Sequence, residues 1–226
     1  MNRNRLIALL GVIFAKSSPG CTFVTDSVTS EGLATFLQDD LGLKHVRYLK
    51  GYANVIEKAR ELTESGVADA QVAVETSGHC AMQENGYLDD GTYTAVKVIG
   101  LLARTQTAHR YDNSGNTAGS SSPSSSSSAP SLLSLIENLK EMAEVSELRM
   151  SILDGTLEST AVAFDHIAFE VEQACARNDL WELDTENLEG IRVRTGNGGF
   201  FMLRKSLHDP LISIQIEGES TDEVRR

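Results

Sequence analysis

The stretch Cys21-Thr22-Phe23-Val24-Thr25-Asp26 combines β-branched and aromatic residues and ends on polar side chains. This composition predicts a buried strand. Before it, Arg5 to Lys16 has apolar residues at helical spacing. After it, Ser30 to Leu41 is typical of a second helix, with Ser30 as its N-cap. A strand flanked by helices in this way indicates an α/β layered fold.

The alternation of strands and helices continues outward from that stretch. Two further strands and two further helices are predicted, at His45 to Leu49, Gln71 to Val74, Asn54 to Ser65 and Thr92 to Arg104. Gly66 ends the first of these helices. Strands that alternate with helices favour a mostly parallel sheet. We therefore predict an α/β domain over residues 1–112.

The chain changes character after this domain. Residues 113–131 contain the run SSSPSSSSSAP, which has almost no apolar content and predicts a flexible linker or a surface insertion. Residues 132–226 predict a smaller α+β domain with an antiparallel sheet, because several strand-like segments follow one another beside a helix. Its helices are predicted at Ser131 to Ala143 and Ala161 to Arg177, and its strands at Val145 to Leu153, Gly190 to Thr195, Phe200 to Arg204 and Leu211 to Glu217. No closing helix is predicted after the last strand.

The overall charge limits the kinds of molecule that the chain is expected to bind. The 226 residues carry 32 acidic and 20 basic side chains, a net charge of −12, which argues against nucleic acid or an anionic membrane as the main partner. Cys21, Cys80 and Cys175 are widely spaced and odd in number. They show neither a disulfide framework nor a metal-binding spacing, so we expect a reducing compartment and no metal site in this chain.

The N-terminal segment has some features of a signal peptide. Arg3 and Arg5 precede the apolar run Leu6 to Ala15. The run is too short to span a bilayer, its apolar residues recur at helical spacing, and Lys16 occupies the place where a small-residue cleavage site is expected. We interpret it as a helix of a globular domain and predict a cytoplasmic protein without a membrane partner.

The segment Glu75-Thr76-Ser77-Gly78-His79 follows an apolar strand, and α/β sheets bind ligands beyond the carboxyl ends of their strands. In an extended backbone Glu75 and Ser77 point the same way, so they could clamp two neighbouring hydroxyls of a sugar. Gly78 allows close backbone approach, and His79 could bind substrate or relay a proton. The alternative is an ordinary polar turn between strand and loop.

A second polar turn follows a later strand. Arg204 ends an apolar strand, and its planar guanidinium suits a phosphate group. Three groups beyond it could complete an anion-binding turn: Ser206, the backbone amide of Leu207, and His208. Asp209 would either orient the histidine or repel the anion. The alternative is a surface hairpin turn with an incidental arginine.

Three other segments are weaker candidates. Lys50 follows the second predicted strand and places at the same sheet edge a cation that either meets a phosphate or stays solvated. Thr25 to Ser30 is expected to cap the next helix, with some of its side chains lining the site. Gly196 to Gly199 predicts a β-turn, because no helix follows it as a nucleotide-binding loop requires.

Several segments, taken in order, resemble the α-D-phosphohexomutases, the phosphoglucomutase/phosphomannomutase family, and specifically the third and fourth of that family's four domains. The similar segments are Asn2 to Leu9, Thr25 to Ser30, Gly51-Tyr52 with Asn54-Val55-Ile56, Glu75 to His79, Leu88 to Gly91, and Ser206 to Pro210. The last of these, SLHDP, resembles one subgroup of the family. The resemblance covers nearly the whole chain apart from the serine-rich tract.

The resemblance implies an isomerase that interconverts hexose 1-phosphate and hexose 6-phosphate through a bisphosphate intermediate. It makes Glu75 and Ser77 sugar-binding residues and places the catalytic His79 close to the reacting groups. The phosphate-binding residues are then Arg204, Ser206, Leu207 and His208, with Lys50 as a further candidate. The phosphoserine and the Mg²⁺ of the family belong to its first two domains.

This sequence departs from the family pattern. It has no aspartate-rich metal loop and no serine in the family's nucleophile context, so we expect the isolated chain to be catalytically silent. Ala53 stands where related sequences often carry a lysine. A missing N-terminal half is then the expected partner, with hexose phosphate and hexose bisphosphate as ligands. A fragment, a split gene and a non-catalytic sugar-phosphate-binding module all remain open, as does a plastid location in a photosynthetic eukaryote.

Overall fold

The structure, a computed structural model, describes residues 3–114, 131–153, 155–206 and 209–225. Within them lie two β-sheets, one built from residues of the N-terminal half and one from residues of the C-terminal half. The predicted serine-rich linker falls almost entirely outside the described residues. No helix of the described part is long and apolar enough to cross a bilayer.

The N-terminal sheet, sheet A, has four strands. They are β1 (Thr22–Asp26), β2 (Lys44–Tyr48), β3 (Val72–Val74) and β4 (Cys80–Met82), in the order β2-β1-β3-β4. Strand β1 pairs in parallel with β2 and with β3, and β4 pairs antiparallel with β3. The predicted mostly parallel sheet is confirmed. Strand β4 was not predicted, because its three residues follow a tight turn and carry no recognisable alternation.

Helices cover both faces of sheet A. They are α1 (Arg3–Ser17), α2 (Glu31–Thr35, continued by a π-helical turn, Phe36–Asp40), α3 (Tyr52–Glu64) and α4 (Gly91–Ser114). The apolar side of α1 is fully buried and packs with β1 and α2 around Phe14, Phe23 and Leu33. The apolar run after Arg5 is therefore part of a globular core, as predicted. Ser30 caps α2, since its hydroxyl accepts a hydrogen bond from the Leu33 amide.

The C-terminal sheet, sheet B, is antiparallel throughout. Its strands are β5 (Glu144–Ser151), β6 (Glu182–Leu183), β7 (Ile191–Arg194), β8 (Phe200–Lys205) and β9 (Leu211–Gly218), in the order β5-β9-β8-β7-β6. Helix α5 (Leu157–Cys175) covers one face, and a short helix, α6 (Thr221–Arg225), follows β9. An α/β layer followed by a smaller antiparallel sheet with a helix confirms the predicted fold class.

The two faces of sheet B differ in chemistry. Leu203, Ile212 and Phe164 of α5 belong to one apolar cluster. Because side chains alternate between the faces of a strand, the neighbouring residues point away from α5. Arg192 is one of these, and its side chain contacts the loop after β1. The polar face of sheet B therefore meets the carboxyl edge of sheet A.

Two predictions for the C-terminal half are wrong. Ser131 to Ala143 is not a helix, because only the 3₁₀ turn Leu132–Ile136 forms there. Leu132, Leu135 and Leu139 pack onto the core around α1, and the Lys140 carbonyl lies against Gly32 of α2, so tertiary packing overrides helix propensity. A closing helix, α6, does follow the last strand, and the Ser220 hydroxyl accepts a hydrogen bond from the Glu223 amide near its start.

Candidate functional site

The segment Glu75 to His79 forms a tight turn between β3 and β4. The Glu75 amide donates to the His79 carbonyl oxygen over 2.9 Å, and the Gly78 amide donates to the Glu75 carbonyl oxygen over 2.9 Å. Gly78 has φ of 105°, which favours glycine. The backbone here is therefore not extended, contrary to our expectation. The turn nevertheless brings the two predicted sugar-binding side chains together, since the Ser77 hydroxyl donates to Glu75 Oε2 over 2.7 Å.

The Glu75 carboxylate joins two loops at the carboxyl edge of sheet A. Its side chain is only 5% exposed. While Oε2 accepts from Ser77, Oε1 accepts from the Gly51 amide over 2.8 Å. Gly51 has φ of 118° and is the residue before α3. The carboxylate thus fixes the loop after β2 against the turn after β3, and Ser77 remains exposed beside it.

His79 lies in a fixed orientation at the surface. Its Nδ1 is 2.6 Å from Asp89 Oδ2, and its ring stacks on Tyr52 with the centroids 5.0 Å apart. The other oxygen of Asp89 accepts from the Cys80 amide over 3.0 Å. A carboxylate at Nδ1 leaves Nε2 as the ring nitrogen that can make a further hydrogen bond. The predicted catalytic histidine is therefore held on two sides.

The contact between Asp89 and His79 was not predicted from the sequence. The neighbouring Asp90 caps α4, because its carboxylate accepts from the Tyr93 amide over 2.9 Å at the start of that helix. Asp89 instead orients the histidine ten residues earlier. The spacing of the two segments in the sequence held no signal for this contact.

The loop after β1 forms the buried base of this edge. Asp26 is fully buried, and its carboxylate accepts from the Thr76 hydroxyl over 2.7 Å and from the Thr29 hydroxyl over 3.1 Å. Burial raises the pKa of Asp26, although these hydrogen bonds and the nearby charge of Lys50 oppose the rise. Asp26 therefore supports the turn from below and does not line an open site.

Lys50 is tied by its backbone to sheet B. Its amide donates to Glu189 Oε2 over 2.9 Å, and the Ser27 hydroxyl donates to the same oxygen over 2.6 Å. Its carbonyl oxygen accepts from the Asn54 side chain over 2.7 Å. Glu189, which the sequence analysis did not identify, thus anchors two loops of sheet A to the connection before β7. The Lys50 side chain is partly exposed.

Arg204 lies at the end of β8, as predicted. Its strand partner is Ser213 of β9, and no carboxylate of the described residues forms an ion pair with it. The turn beyond it closes through the Ser206 amide, which donates to the Leu211 carbonyl oxygen over 3.0 Å, and through the Asp209 amide, which donates to the Ser206 hydroxyl over 3.2 Å. Residues 207 and 208, the predicted Leu207 amide and His208 ligands, lie outside the described residues.

The charges of Lys50 and Arg204 reach a common carboxylate, that of Glu147 on β5. Burial raises the pKa of Glu147, but the hydrogen bond from Arg149 and the charges of Lys50, Arg149 and Arg204 together bring it below its ordinary value. A cation of the loop after β2 and a cation at the end of β8 therefore act on the same region. Two of the predicted phosphate-binding cations, Lys50 and Arg204, therefore both stabilise the charged form of Glu147.

The Mg²⁺ that the resemblance implies belongs to the family's first two domains, and the described residues provide no site for it. No group of three or more histidine, cysteine, aspartate or glutamate side chains in the described ranges could hold a metal ion.

Comparison with known proteins gives one family and several related folds. Residues 2–113 match the family model for phosphoglucomutase/phosphomannomutase, alpha/beta/alpha domain III. A phosphoglucomutase/phosphomannomutase family protein from Burkholderia thailandensis matches in structure with a TM-score of 0.65 and 22% identity, over 99% of this chain and 39% of its own. The exocytosis-sensitive phosphoprotein pp63/parafusin of Paramecium, a phosphoglucomutase, matches with a TM-score of 0.60 and 14% identity, over 95% of this chain and 37% of its own.

A third solved structure extends the range of these relatives. N-acetylglucosamine-phosphate mutase, a member of the α-D-phosphohexomutase superfamily, matches in its substrate complex with a TM-score of 0.52 and 11% identity, over 98% of this chain and 41% of its own. The chain thus spans about two fifths of the length of the solved proteins that it matches. No curated protein sequence matches it.

Proposed function

Because this chain belongs to the phosphoglucomutase/phosphomannomutase family, we propose that it is the sugar-phosphate-binding half of a phosphohexomutase. The reaction of the whole enzyme is the interconversion of hexose 1-phosphate and hexose 6-phosphate through a bisphosphate. Phosphoryl transfer depends mainly on positioning and charge stabilisation, so separate domains can contribute separate parts. In this proposal the chain binds and orients the sugar, while the phosphoserine and the Mg²⁺ that the family uses are held elsewhere.

The observation that carries the proposal is the hydrogen bond of 2.7 Å between Ser77 and Glu75. It places a carboxylate and an exposed hydroxyl side by side at the carboxyl edge of sheet A, where α/β folds bind ligands. A carboxylate oxygen that accepts one hydrogen bond keeps capacity for another. Glu75 and Ser77 can therefore bind two neighbouring hydroxyls of a hexose. The N-acetylglucosamine-phosphate mutase of the same fold, solved in its substrate complex, supports a hexose phosphate as the ligand class.

His79 takes the role of a group close to the reacting oxygen. Asp89 at Nδ1 and the stacked Tyr52 ring restrict its motion, so its Nε2 can donate to or accept from a ligand oxygen in one direction. An imidazole in this position can hold or move a proton at a hydroxyl of the substrate. It lies two residues from Ser77, so it would meet the same sugar.

The distal phosphate is assigned to the turn after β8. Arg204 has no ion pair within the described residues, and a guanidinium binds phosphate through parallel hydrogen bonds. Ser206, the Leu207 amide and His208 are proposed as further ligands, and Lys50 as the cation from the opposite loop. In a chain of net charge −12, two cations that stabilise the same carboxylate provide local positive charge for an anionic ligand.

The proposal is tested by titrating the 226-residue chain with glucose 6-phosphate in a calorimeter. We expect Arg204→Ala to weaken binding by about 2 kcal/mol or more, because a charge-assisted phosphate contact is lost. Arg177→Ala, which removes an exposed cation just after α5, is the matched control and should leave the affinity unchanged. Equal affinity of the Arg204→Ala variant and the unmodified chain would refute the assignment.

A further inference from the structure

A row of three side chains crosses the polar face of sheet B. Arg149 of β5 is paired with Ser213 of β9, and Ser213 is paired with Arg204 of β8. Residues paired across antiparallel strands place their side chains on the same face. Neighbouring strands lie about 4.8 Å apart, so the Cα atoms of the two arginines are roughly 10 Å apart with Ser213 between them. Two arginine side chains on that spacing can meet at one small anion.

Arg149 is held by a carboxylate of its own strand. Its Nε and Nη2 atoms donate to Glu147 Oε1 over 3.2 and 3.1 Å. The Arg149 side chain is nevertheless 69% exposed, so this ion pair contributes little to stability. The pair keeps the arginine on the polar face of the sheet and neutralises its charge. Its geometry is that of a guanidinium which already binds an oxyanion.

The hydroxyl of Ser213, in the middle of this row, is buried and makes no hydrogen bond to any described residue. The residue is only 4% exposed. A buried hydroxyl without a partner costs free energy, and such groups are rare in folded proteins. This one lies between two arginines on the face that carries the proposed phosphate site. A ligand oxygen that reaches between the arginines would satisfy it.

We propose that Arg149 is a second phosphate-binding arginine of this site and that Glu147 is an internal anion which the phosphate replaces. The inference rests on the proposed function, because it adds a residue to the same phosphate site. A phosphate group presents three terminal oxygens, and one arginine fork binds two of them. Arg204 would bind one side of the phosphate, and Arg149 would leave Glu147 to bind the other side, with the Ser213 hydroxyl between them.

The lowered pKa of Glu147 agrees with this arrangement. Lys50, Arg149 and Arg204 all stabilise its charged form, so the carboxylate lies within the field of the cations that the proposal assigns to the phosphate. Glu147 therefore competes with an incoming anion. Removing its charge should strengthen phosphate binding, whereas removing the charge of Arg149 should weaken it.

The experiment measures the dissociation constant of glucose 6-phosphate for the 226-residue chain and four variants. We expect Arg149→Ala to weaken binding about tenfold or more, as for the loss of a charge-assisted hydrogen bond. Arg149→Lys should recover part of this loss, because it keeps the charge but not the fork. Glu147→Gln should tighten binding about threefold, because it removes the competing anion and keeps the side-chain volume. Arg177→Ala should have no effect, and thermal unfolding should show all variants folded, since the substituted side chains are exposed.

The outcomes separate this inference from the proposed function. If Arg204→Ala weakens binding in the test of the proposed function and Arg149→Ala does not weaken it here, the phosphate site stands and Arg149 is not part of it. If Glu147→Gln weakens binding, Glu147 supports the ligand and does not compete with it, so the inference is wrong. If the unmodified chain does not bind glucose 6-phosphate at all, the proposed function and this inference fail together.

Discussion

Arg192 of sheet B and Glu31 of α2 form an ion pair across the boundary between the two halves of the chain, with 2.9 Å between Nη2 and Oε1. The Arg192 side chain is completely buried. Its guanidinium also donates to the carbonyl oxygens of Ser27 and Thr29, each over 3.0 Å. One side chain of the C-terminal half therefore provides hydrogen-bond donors to two carbonyl oxygens of the loop after β1. It also fixes the polar face of sheet B against the edge of sheet A that carries the proposed sugar-binding turn.

The first prediction concerns the loss of this guanidinium. Arg192→Met should destabilise the chain by about 3–5 kcal/mol, because it leaves the carbonyl oxygens without donors and the nearby carboxylates with one fewer cation. Urea unfolding measures the effect. Arg104→Met, at an exposed position of α4, is the control and should change the free energy of unfolding by less than about 0.5 kcal/mol. A cost below about 1 kcal/mol for Arg192→Met would mean that this contact does not hold the two halves together.

The second prediction concerns Glu217 of β9, which is 5% exposed. Burial, helped by the charge of Glu31, raises its pKa to about 7, although Gln215, Arg192 and Arg47 oppose the rise. The ordinary value is 4.5, so the folded chain binds more protons than the unfolded chain between those two values. The contribution of the Glu217 carboxyl group to folding stability is therefore complete below pH 4.5 and is lost as the pH rises to about 7.

Glu217→Gln should remove this pH dependence. At pH 8 the variant should be more stable than the unmodified chain by about 1–3 kcal/mol, because it no longer buries a charge. At pH 4.5 the two should be equally stable. Urea unfolding at a series of pH values measures the difference, and the exposed Glu57→Gln is the control. A stability difference that does not change with pH would show that the carboxyl of Glu217 titrates normally.

Much of the fold could be predicted, because its longer elements carry their pattern locally. The strand at Cys21 to Asp26 and the helix at Arg5 to Lys16 were recognisable from composition and periodicity. Strands β4 and β6 were not, because they contain three and two residues and are defined by the partner strand. The helix predicted at Ser131 to Ala143 failed for the opposite reason, since contacts with α1 and α2 override a local preference.

The candidate site, too, could be predicted only in part. Glu75 and Arg204 follow strands in the sequence, so their location at strand ends could be predicted. Their partners could not. Glu189 binds the Lys50 amide from 139 positions away in the chain, and Arg149 reaches the row with Arg204 only through the register of β9. These contacts depend on how sheet B meets sheet A, which no local pattern encodes.

The third prediction compares two glycines with nearly equal, positive φ angles. Gly190 has φ of +62° and Gly86 has φ of +64°, but a Cβ on Gly190 would lie 2.0 Å from the Leu203 carbonyl oxygen, whereas a Cβ on Gly86 would meet nothing within 4 Å. Gly86→Ala should therefore lower the free energy of unfolding by about 1 kcal/mol, because only the left-handed backbone disfavours the added side chain. Gly190→Ala should cost about 2 kcal/mol more, because the strand must shift as well. Urea unfolding of both variants measures the difference, and equal costs would show that β8 can move away without penalty.

The last prediction tests the sugar-binding turn separately from the phosphate site. Ser77→Ala should lower stability by no more than about 1 kcal/mol, because Ser77 is exposed and only its hydrogen bond to Glu75 is lost. It should weaken glucose 6-phosphate binding by about 1 kcal/mol, since one hydrogen bond to the sugar is lost and Glu75 loses the donor that orients it. Calorimetric titration with glucose 6-phosphate and, in parallel, with inorganic phosphate separates the two contacts. Ser77→Ala should weaken only the first titration, whereas Arg204→Ala should weaken both. If Ser77→Ala weakens the binding of inorganic phosphate as much as that of the sugar phosphate, then Ser77 contacts the phosphate, and the assignment of Glu75 and Ser77 to the sugar hydroxyls is wrong.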